Sequence, residues 1–279
     1  MLVNLNDVLI PARRGKYAVG LFNTVNLELA RGVMEAAEEL DSPVIIGTAE
    51  VLLPYGPIED LANLLIPMAE RASVPVVVHL DHGLKEETCR QALDLGFSSI
   101  MYDCSTMEYE ANIEHVKRMA ETAHACGASI EAELGYVGDN GGEDPSLFYT
   151  DSAQARDFIE RTGADALAIA VGTAHGAYKL PPKLDFNRIA EIAENIPTPL
   201  VLHGGSGLSD SDFRTAVERG ISKVNIFTDI NQACARAAAL GYREGMGLTD
   251  IILPEIEAVK QSVMEKMRLF GSVGRGSER

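Results

Sequence analysis

Three histidines stand just after short apolar runs of this sequence, at His82, His175 and His203. Three neutral imidazoles that converge and leave one coordination position open form the ligand set of catalytic zinc. We therefore consider a zinc site built from these three side chains. For any one of them taken alone, a hydrogen-bonded histidine with no ligand role is the alternative. His79 lies before the end of its run and is predicted to pack in the interior.

Carboxylates occur at the same kind of position. Asp81 directly precedes His82, Asp103 follows the next apolar run, and Glu131 and Glu133 lie in the run after that. A carboxylate beside a metal ion can take up or release a proton during a reaction. The pattern therefore indicates metal-assisted acid–base chemistry.

A glycine-rich turn, Gly204-Gly205-Ser206-Gly207, follows His203. Because its backbone carries few side chains, its N–H groups can approach an anion, and the helix predicted from Ser209 adds the positive end of its dipole. Asn225-Ile226-Phe227-Thr228 ends the next apolar run. Together they fit a phosphate site, whereas such a turn alone is more often simple turn geometry.

The elements that must position these residues alternate between short β-branched runs and longer amphipathic segments. Runs that are apolar at nearly every position indicate strands buried on both faces, hence a parallel sheet. Eight such units in about 250 residues fit a (β/α)8 or TIM barrel, in which the strand ends share one mouth. The predicted strands are Ala18–Phe22, Val44–Thr48, Val76–Leu80, Ser99–Asp103, Ser129–Glu133, Ala166–Val171, Leu200–His203 and Lys223–Ile226.

Helices are predicted between the strands and at both ends of the chain. Extra helices are predicted over Leu5–Arg14 and Pro254–Leu269, each of which either plugs the barrel floor or pairs with another subunit. The irregular stretch Gly135–Thr150 is predicted to be a lid over the site. No linker interrupts the pattern, so residues 1–279 are predicted to form one barrel domain. The helices between strands include Leu27–Leu40, Glu86–Leu95, Ala111–Ala125, Ser152–Thr162, Phe186–Glu194 and Ser209–Arg219.

Composition limits the partners and the compartment. The chain has 24 Lys and Arg against 41 Asp and Glu, a net charge of −17, without a basic run, so neither nucleic acid nor a membrane is an expected partner. Cys89, Cys104, Cys126 and Cys234 match neither a zinc knuckle nor a secreted disulfide framework, and we predict buried thiols. Without a long apolar segment or a basic N-terminal leader, a cytoplasmic location is predicted.

Several motifs resemble, in collinear order from about Ala18 to Gly274, those of the class II zinc-dependent fructose-bisphosphate and tagatose-bisphosphate aldolases. The resemblance implies a (β/α)8 barrel, dimeric or tetrameric, with one catalytic Zn2+ per chain. It also implies reversible cleavage of a ketose phosphate into dihydroxyacetone phosphate and an aldehyde. The motifs are His79-Leu80-Asp81-His82-Gly83, Glu131-Ala132-Glu133-Leu134-Gly135, Gly172-Thr173-Ala174-His175-Gly176, His203-Gly204-Gly205-Ser206-Gly207 and Lys223-Val224-Asn225-Ile226.

The resemblance assigns a role to each matching position. Asp81 corresponds to the catalytic carboxylate beside the metal. Asp103 and Glu133 correspond to residues that hold zinc in a buried alternate position in some members. Glu143, in the predicted lid, takes the place of the family's mobile acid/base glutamate. The zinc ligands correspond to His82, His175 and His203.

The resemblance also implies a binding site for dihydroxyacetone phosphate. In relatives its turns hold a monovalent cation as well, so Na+ or K+ is expected here. The corresponding residues are Gly176, Gly204, Gly205, Ser206, Asn225, Ile226, Phe227 and Thr228.

Two departures from the family concern the second phosphate. Bisphosphate-cleaving relatives carry a Ser near the end of the second strand and an Arg before the C-terminal helix, where this chain has Ala49-Glu50 and Asp250-Ile251. Acidic Glu50 and Asp250 are expected to repel a phosphate, so an unphosphorylated aldehyde is predicted. An ordinary bisphosphate aldolase is the alternative, in which Lys179, Arg13, Arg14 or a neighbouring subunit supplies the cation.

Two further classes stay open at the level of sequence. A metal-dependent hydrolase on the same barrel also uses several histidines and an aspartate, but such barrels commonly begin with His-x-His, which Phe22-Asn23-Thr24 lacks. A non-catalytic phosphosugar-binding barrel needs only the donor site. The presence of Asp81 with three histidines disfavours it.

Overall fold

Eight parallel strands close into a barrel in the computed structural model, which describes residues 1–137, 149–174 and 182–278. Each strand pairs in parallel with the strands before and after it, and the first pairs with the last. The predicted (β/α)8 fold is therefore confirmed. The strands are β1 (Val19–Asn23), β2 (Val44–Ala49), β3 (Val76–Gly83), β4 (Ser99–Tyr102), β5 (Ser129–Leu134), β6 (Ala166–Ile169), β7 (Leu200–Leu202) and β8 (Ile221–Ile226).

Helices cover the outside of the barrel, which explains why the strands are buried on both faces. The larger core cluster fills the space between strands and helices. A short 3-10 turn, Glu50–Leu52, follows β2. The helices are α1 (Leu5–Gly15), α2 (Leu27–Glu39), α3 (Ile58–Arg71), α4 (Glu86–Asp94), α5 (Tyr109–Ala125), α6 (Ser152–Thr162), α7 (Phe186–Asn195), α8 (Asp210–Arg219), α9 (Thr228–Gly241) and α10 (Leu248–Phe270).

Helix α1 closes the bottom of the barrel. Its buried side chains, among them Leu5 and Leu9, pack with inward-facing residues of the strands. The Leu5 amide donates to Ser129 Oγ at 2.9 Å, at the start of β5. Arg13 donates to the carbonyl oxygens of Ala193 and Ile196 at 2.6 and 2.7 Å. Of the two roles considered for α1, the floor plug is the one observed.

Helix α10 corrects one prediction. It begins at Leu248, six residues before the predicted start at Pro254, and packs against α2 and α9 on the outside of the barrel. The Gly247 amide donates to the Asp250 carboxylate at 2.8 Å, which satisfies an N-terminal backbone group of the helix. Proline is favoured at the first position of a helix, but Pro254 lies inside α10.

The cysteines are free, and the prediction that all four are buried is wrong for two of them. Cys89 and Cys104 are buried, Cys126 is exposed just after α5, and Cys234 is half-buried. Among the described residues, no helix combines the length and apolarity needed to cross a membrane.

At Gly47 the backbones of β2 and β3 approach so closely that a Cβ atom there would overlap the carbonyl oxygen of His79. Because backbone cannot move aside as a flexible side chain can, Gly47→Ala is expected to lower the free energy of unfolding by about 3 kcal/mol or more. Urea denaturation measures the change. Gly241→Ala is the control, since a Cβ at Gly241 meets no atom within 4 Å; equal stability of the two variants would contradict the prediction.

Candidate active site

A bulge at the end of β3 turns two consecutive side chains towards the mouth. Neighbouring residues of a regular strand face opposite sides. Here the pairing of β3 with β4 shifts between Leu80 and Gly83, and His82 adopts a left-handed backbone with φ of 41°. Asp81 and His82 consequently both line the cavity at the mouth.

The imidazoles of His82 and His203 face one another. His82 Nε2 lies 2.7 Å from His203 Nδ1, and the ring centroids are 4.5 Å apart in an edge-to-face arrangement. The outer nitrogens each contact a carboxylate: His82 Nδ1 lies 2.8 Å from Asp103 Oδ2, and His203 Nε2 lies 2.8 Å from Glu131 Oε1. Carboxylates accept hydrogen bonds, so in the neutral rings the outer nitrogens carry the protons and the inner nitrogens present lone pairs.

This arrangement fits a metal ion such as zinc. Histidine ligands of metals donate their other N–H to a carboxylate or carbonyl, which fixes the tautomer and the ring orientation. Ligand atoms of Asp81, His82 and His203 lie within 4.8 Å of one another, as do those of His82, Asp103 and Glu133. The two groups share His82 and offer two adjoining positions for a cation.

Glu133 is the most strongly perturbed carboxyl of the second group. It is buried, and its Oε1 accepts from the Val137 amide at 3.1 Å. Its Oε2 has no hydrogen-bond partner among the residues described. Burial and the neighbouring Asp103 raise its pKa to about 8. A buried, unpartnered carboxyl oxygen costs free energy, which a cation that displaced the proton would recover.

Two asparagines hold the carboxylate of Asp81. Asn23 Nδ2 donates to Oδ2 at 2.7 Å, and Asn225 Nδ2 donates to Oδ1 at 2.9 Å. Burial opposes ionisation of Asp81, but His82 and His203 outweigh it and keep its pKa below the ordinary value. Asp81 is thus an oriented carboxylate at neutral pH.

Three residues support this centre in ways that the sequence analysis does not predict. The sequence around Asn23 indicates only that the first strand lacks a His-x-His motif. The resemblance assigns no role to Glu131 or Lys223. Lys223 Nζ lies 2.7 Å from Glu131 Oε2, and both side chains are fully buried. A period-two signal was available, because alternate residues of a strand share one face. Glu131 therefore faces inward with Glu133, and Lys223 with Asn225.

A cavity of about 590 Å³ lies over this centre, within the size range of small-molecule sites. The residues that line the cavity differ in polarity between its two sides. Polar backbone and side chains come from the ends of β7 and β8, at Gly204, Gly205, Ser206, Asn225 and Thr228. Apolar side chains come from the opposite side of the mouth, after β2, β3 and β5: Ala49, Val51, Leu52, Leu84 and Val137, with the ring of Tyr136.

The polar side is shaped by close backbone contact. Gly204 has φ of 66°, and a Cβ there would overlap the carbonyl oxygen of Ala174. The helix end in the lining is that of α9, whose N-cap residue Phe227 makes no side-chain cap. Ser209 and Asp212 cap the first turn of α8, which does not reach the described cavity lining, so its predicted contribution to an anion site stays a prediction.

The two acidic residues predicted to repel a phosphate have other partners. Glu50 Oε2 accepts from the amides of Leu84 and Lys85 at 2.7 and 3.1 Å, and Asp250 caps α10. Neither belongs to the cavity lining. The described lining of the far side is thus mostly apolar, with Asp103 and Thr106 after β4 as its polar members, and no Lys or Arg lines it within the described part of the chain.

Several predicted site residues lie outside the described residues, in 138–148 and 175–181. These are Glu143, His175, Gly176 and Lys179.

Comparisons with known proteins point to one family. The family model described as fructose-bisphosphate aldolase class-II matches residues 3–275. The fructose-bisphosphate aldolases of Geobacillus stearothermophilus and Thermus caldophilus are each 40% identical to this chain, across 99% of it and 99% and 100% of their own lengths. The crystal structure of the YdjI aldolase from Escherichia coli K12 matches with a TM-score of 0.91 and 37% identity, over 99% of this chain and 100% of that one.

The raised pKa of Glu133 predicts how the metal-free protein responds to pH. Its ordinary value is 4.5 and its folded value about 8, so between these limits the folded state holds a proton that the unfolded state releases. Stability is therefore expected to fall as pH rises from 5 towards 8, by on the order of 1 kcal/mol per pH unit. His82 acts in the same sense, because burial lowers its pKa but Asp81 and Asp103 outweigh burial and raise it to about 9.

Urea unfolding with a chelator at pH 6 and pH 8 measures this loss. Glu133→Gln is the matched control, since a neutral amide removes the titration, and its stability is expected to change less between the two pH values. Equal changes in wild type and variant would show that Glu133 does not hold the proton.

Proposed function

Because the chain belongs to the class II fructose-bisphosphate aldolase family, whose members are lyases, we propose that it is a zinc-dependent aldolase that forms and cleaves ketose phosphates through dihydroxyacetone phosphate. The observation that carries the proposal is the pair His82 and His203, each bonded outward to a carboxylate and turned inward beside Asp81. Family membership disfavours the hydrolase and the non-catalytic barrel.

The proposed zinc ligands are His82, His203 and His175. When bound, zinc supplies a Lewis acid for the negative charge that develops on the substrate oxygens as the carbon–carbon bond breaks. Asp103 and Glu133 form the proposed alternate position for the ion. The chain's own contribution is to orient both described imidazoles through the carboxylates of Asp103 and Glu131, so that their inner nitrogens face the proposed ion position.

Proton transfers are assigned to two carboxylates. Asp81, ionised and oriented by its asparagines, accepts the proton of the aldehyde-side hydroxyl during cleavage and returns it during condensation. Burial of Asp81 keeps bulk water from competing for that proton. Glu143 is proposed to return a proton to the donor carbon after cleavage and to remove it before condensation.

The donor phosphate is proposed to lie at the polar side of the cavity. The backbone of the turns at Gly204 and Gly205 offers N–H groups there, and the N-terminus of α9 adds the positive end of its helix dipole. Proposed contacts also include Gly176, Ser206, Asn225, Ile226, Phe227 and Thr228, together with a monovalent cation, Na+ or K+.

The aldehyde is proposed to lack a phosphate. The apolar side of the mouth offers no charge partner among its described residues, and desolvating a phosphate dianion there is unfavourable. Arg13 is bonded to carbonyls at the barrel floor, which removes one candidate cation. An ordinary bisphosphate aldolase stays the alternative, through Lys179 or a neighbouring subunit.

Self-association as a homodimer or homotetramer is proposed as well. Leu240 in α9 and Leu248 and Leu253 in α10 are 74, 67 and 63% exposed, which supports a covered face in the assembly. A cytoplasmic location is proposed because the four cysteines are free, as is usual in reducing compartments.

The proposed metal dependence and the proposed roles of His203 and Asp81 can be tested together. A chelator is expected to abolish cleavage of a ketose 1-phosphate and zinc to restore it, while borohydride added with substrate leaves activity intact because no imine forms. His203→Ala is expected to carry far less than one zinc per chain. Asp81→Asn should retain its zinc and lose on the order of 10²- to 10⁴-fold in kcat. Full turnover in Asp81→Asn, or inactivation by borohydride, would refute the mechanism.

The proposed preference for an unphosphorylated aldehyde can be tested by comparing substrates. Fructose and tagatose 1,6-bisphosphate are expected to have at least about tenfold lower kcat/KM than a ketose 1-phosphate, because a charge-assisted phosphate contact of about 1.5–3 kcal/mol is missing. Val51→Arg, which places a cation in the cavity lining, should narrow the difference. Tyr55→Arg is the control, since Tyr55 is exposed and outside the lining. A tenfold preference of the wild type for a bisphosphate would identify an ordinary bisphosphate aldolase.

A further inference from the structure

A lysine is buried inside the barrel beneath the active site. Lys223, on β8, is fully buried, which is rare for lysine unless it is paired. Its ammonium lies 2.7 Å from Glu131 Oε2 and donates to Asn225 Oδ1 at 2.8 Å. It lines no part of the described cavity, so it has no direct access to a substrate.

One arm of this contact reaches the proposed metal ligand. With one oxygen held by the ammonium, Glu131 presents its other oxygen to His203 Nε2 at 2.8 Å. Because a carboxylate only accepts, this bond places the ring proton on Nε2 and leaves Nδ1 turned towards His82.

The other arm reaches the proposed catalytic carboxylate. An ammonium has donors and no acceptor, so the Asn225 atom that faces it must be the amide oxygen. The amide NH2 group then points to Asp81 Oδ1, 2.9 Å away. The amide is thus held from both sides, by a cation at its oxygen and an anion at its nitrogen.

We propose that Lys223 is a positioning residue that sets His203 through Glu131 and Asp81 through Asn225. The inference rests on the proposed aldolase reaction at the same site. A lysine that served only as the counter-ion of Glu131 would be dispensable once both charges were removed. A positioning lysine would still be needed, because the amide oxygen of Asn225 would lack its hydrogen-bond donor.

The test compares Lys223→Met, the charge-balanced double variant Glu131→Gln/Lys223→Met, and Lys260→Met. Lys260 is the matched control, because it pairs with Glu39 on the outside of the barrel. Lys223→Met is expected to unfold at lower urea concentration and to bind zinc at least tenfold more weakly, since Glu131 is left without its cation. In the double variant, the introduced amide oxygen can still accept from His203, so the urea midpoint and zinc affinity should largely return.

The turnover number kcat distinguishes a positioning role of Lys223 from a role in charge balance alone. The zinc-loaded double variant is expected to keep at least a tenfold loss in kcat with KM changed less than threefold, because Asp81 loses an oriented donor. Recovery of wild-type kcat in the double variant would overturn the inference. If wild type cleaves no ketose phosphate, the proposed function fails instead; zinc affinity then decides the positioning role, and unchanged affinity in Lys223→Met would refute it.

Discussion

Polar groups inside a closed barrel must find their partners within the barrel, because little water reaches them. Here that requirement links the upper interior into one chain of contacts. Lys223 joins Glu131 to Asn225, and from these two the contacts run on to His203 and Asp81. The orientation of the groups proposed to do chemistry therefore follows from a set of buried charges that satisfy one another.

Much of the fold was predictable because its signals are local. Strand burial, helix amphipathicity and the spacing of β/α units each appear in a short window of sequence, and the positions of Asp81, His82 and His203 follow from them. Features that depend on contacts between distant elements were not predictable. The bulge that turns Asp81 and His82 to the same side depends on pairing with β4. The partner of Glu50 lies 34 residues away along the chain.

The cavity combines a polar side, where the donor phosphate is proposed to bind, with a mostly apolar side opposite it. The centre between them depends on strands and on buried contacts, whereas the apolar side is formed by the turn after β2 and by loops after β3 and β5. Loops tolerate substitution better than a packed interior does. One barrel can therefore keep its buried centre while the residues around the mouth change.

Above the plug formed by α1, the barrel interior changes from apolar to polar with increasing height. In its lower part, the space holds apolar side chains such as Leu9, Val77 and Val201, with Arg13 fastening the helix to carbonyls at the floor. Above, it holds charged and polar groups. Protein engineering can exploit this division: the lower half offers positions for raising thermal tolerance by repacking, at a distance from the ionisable groups, while the loops of the mouth remain available for changing selectivity.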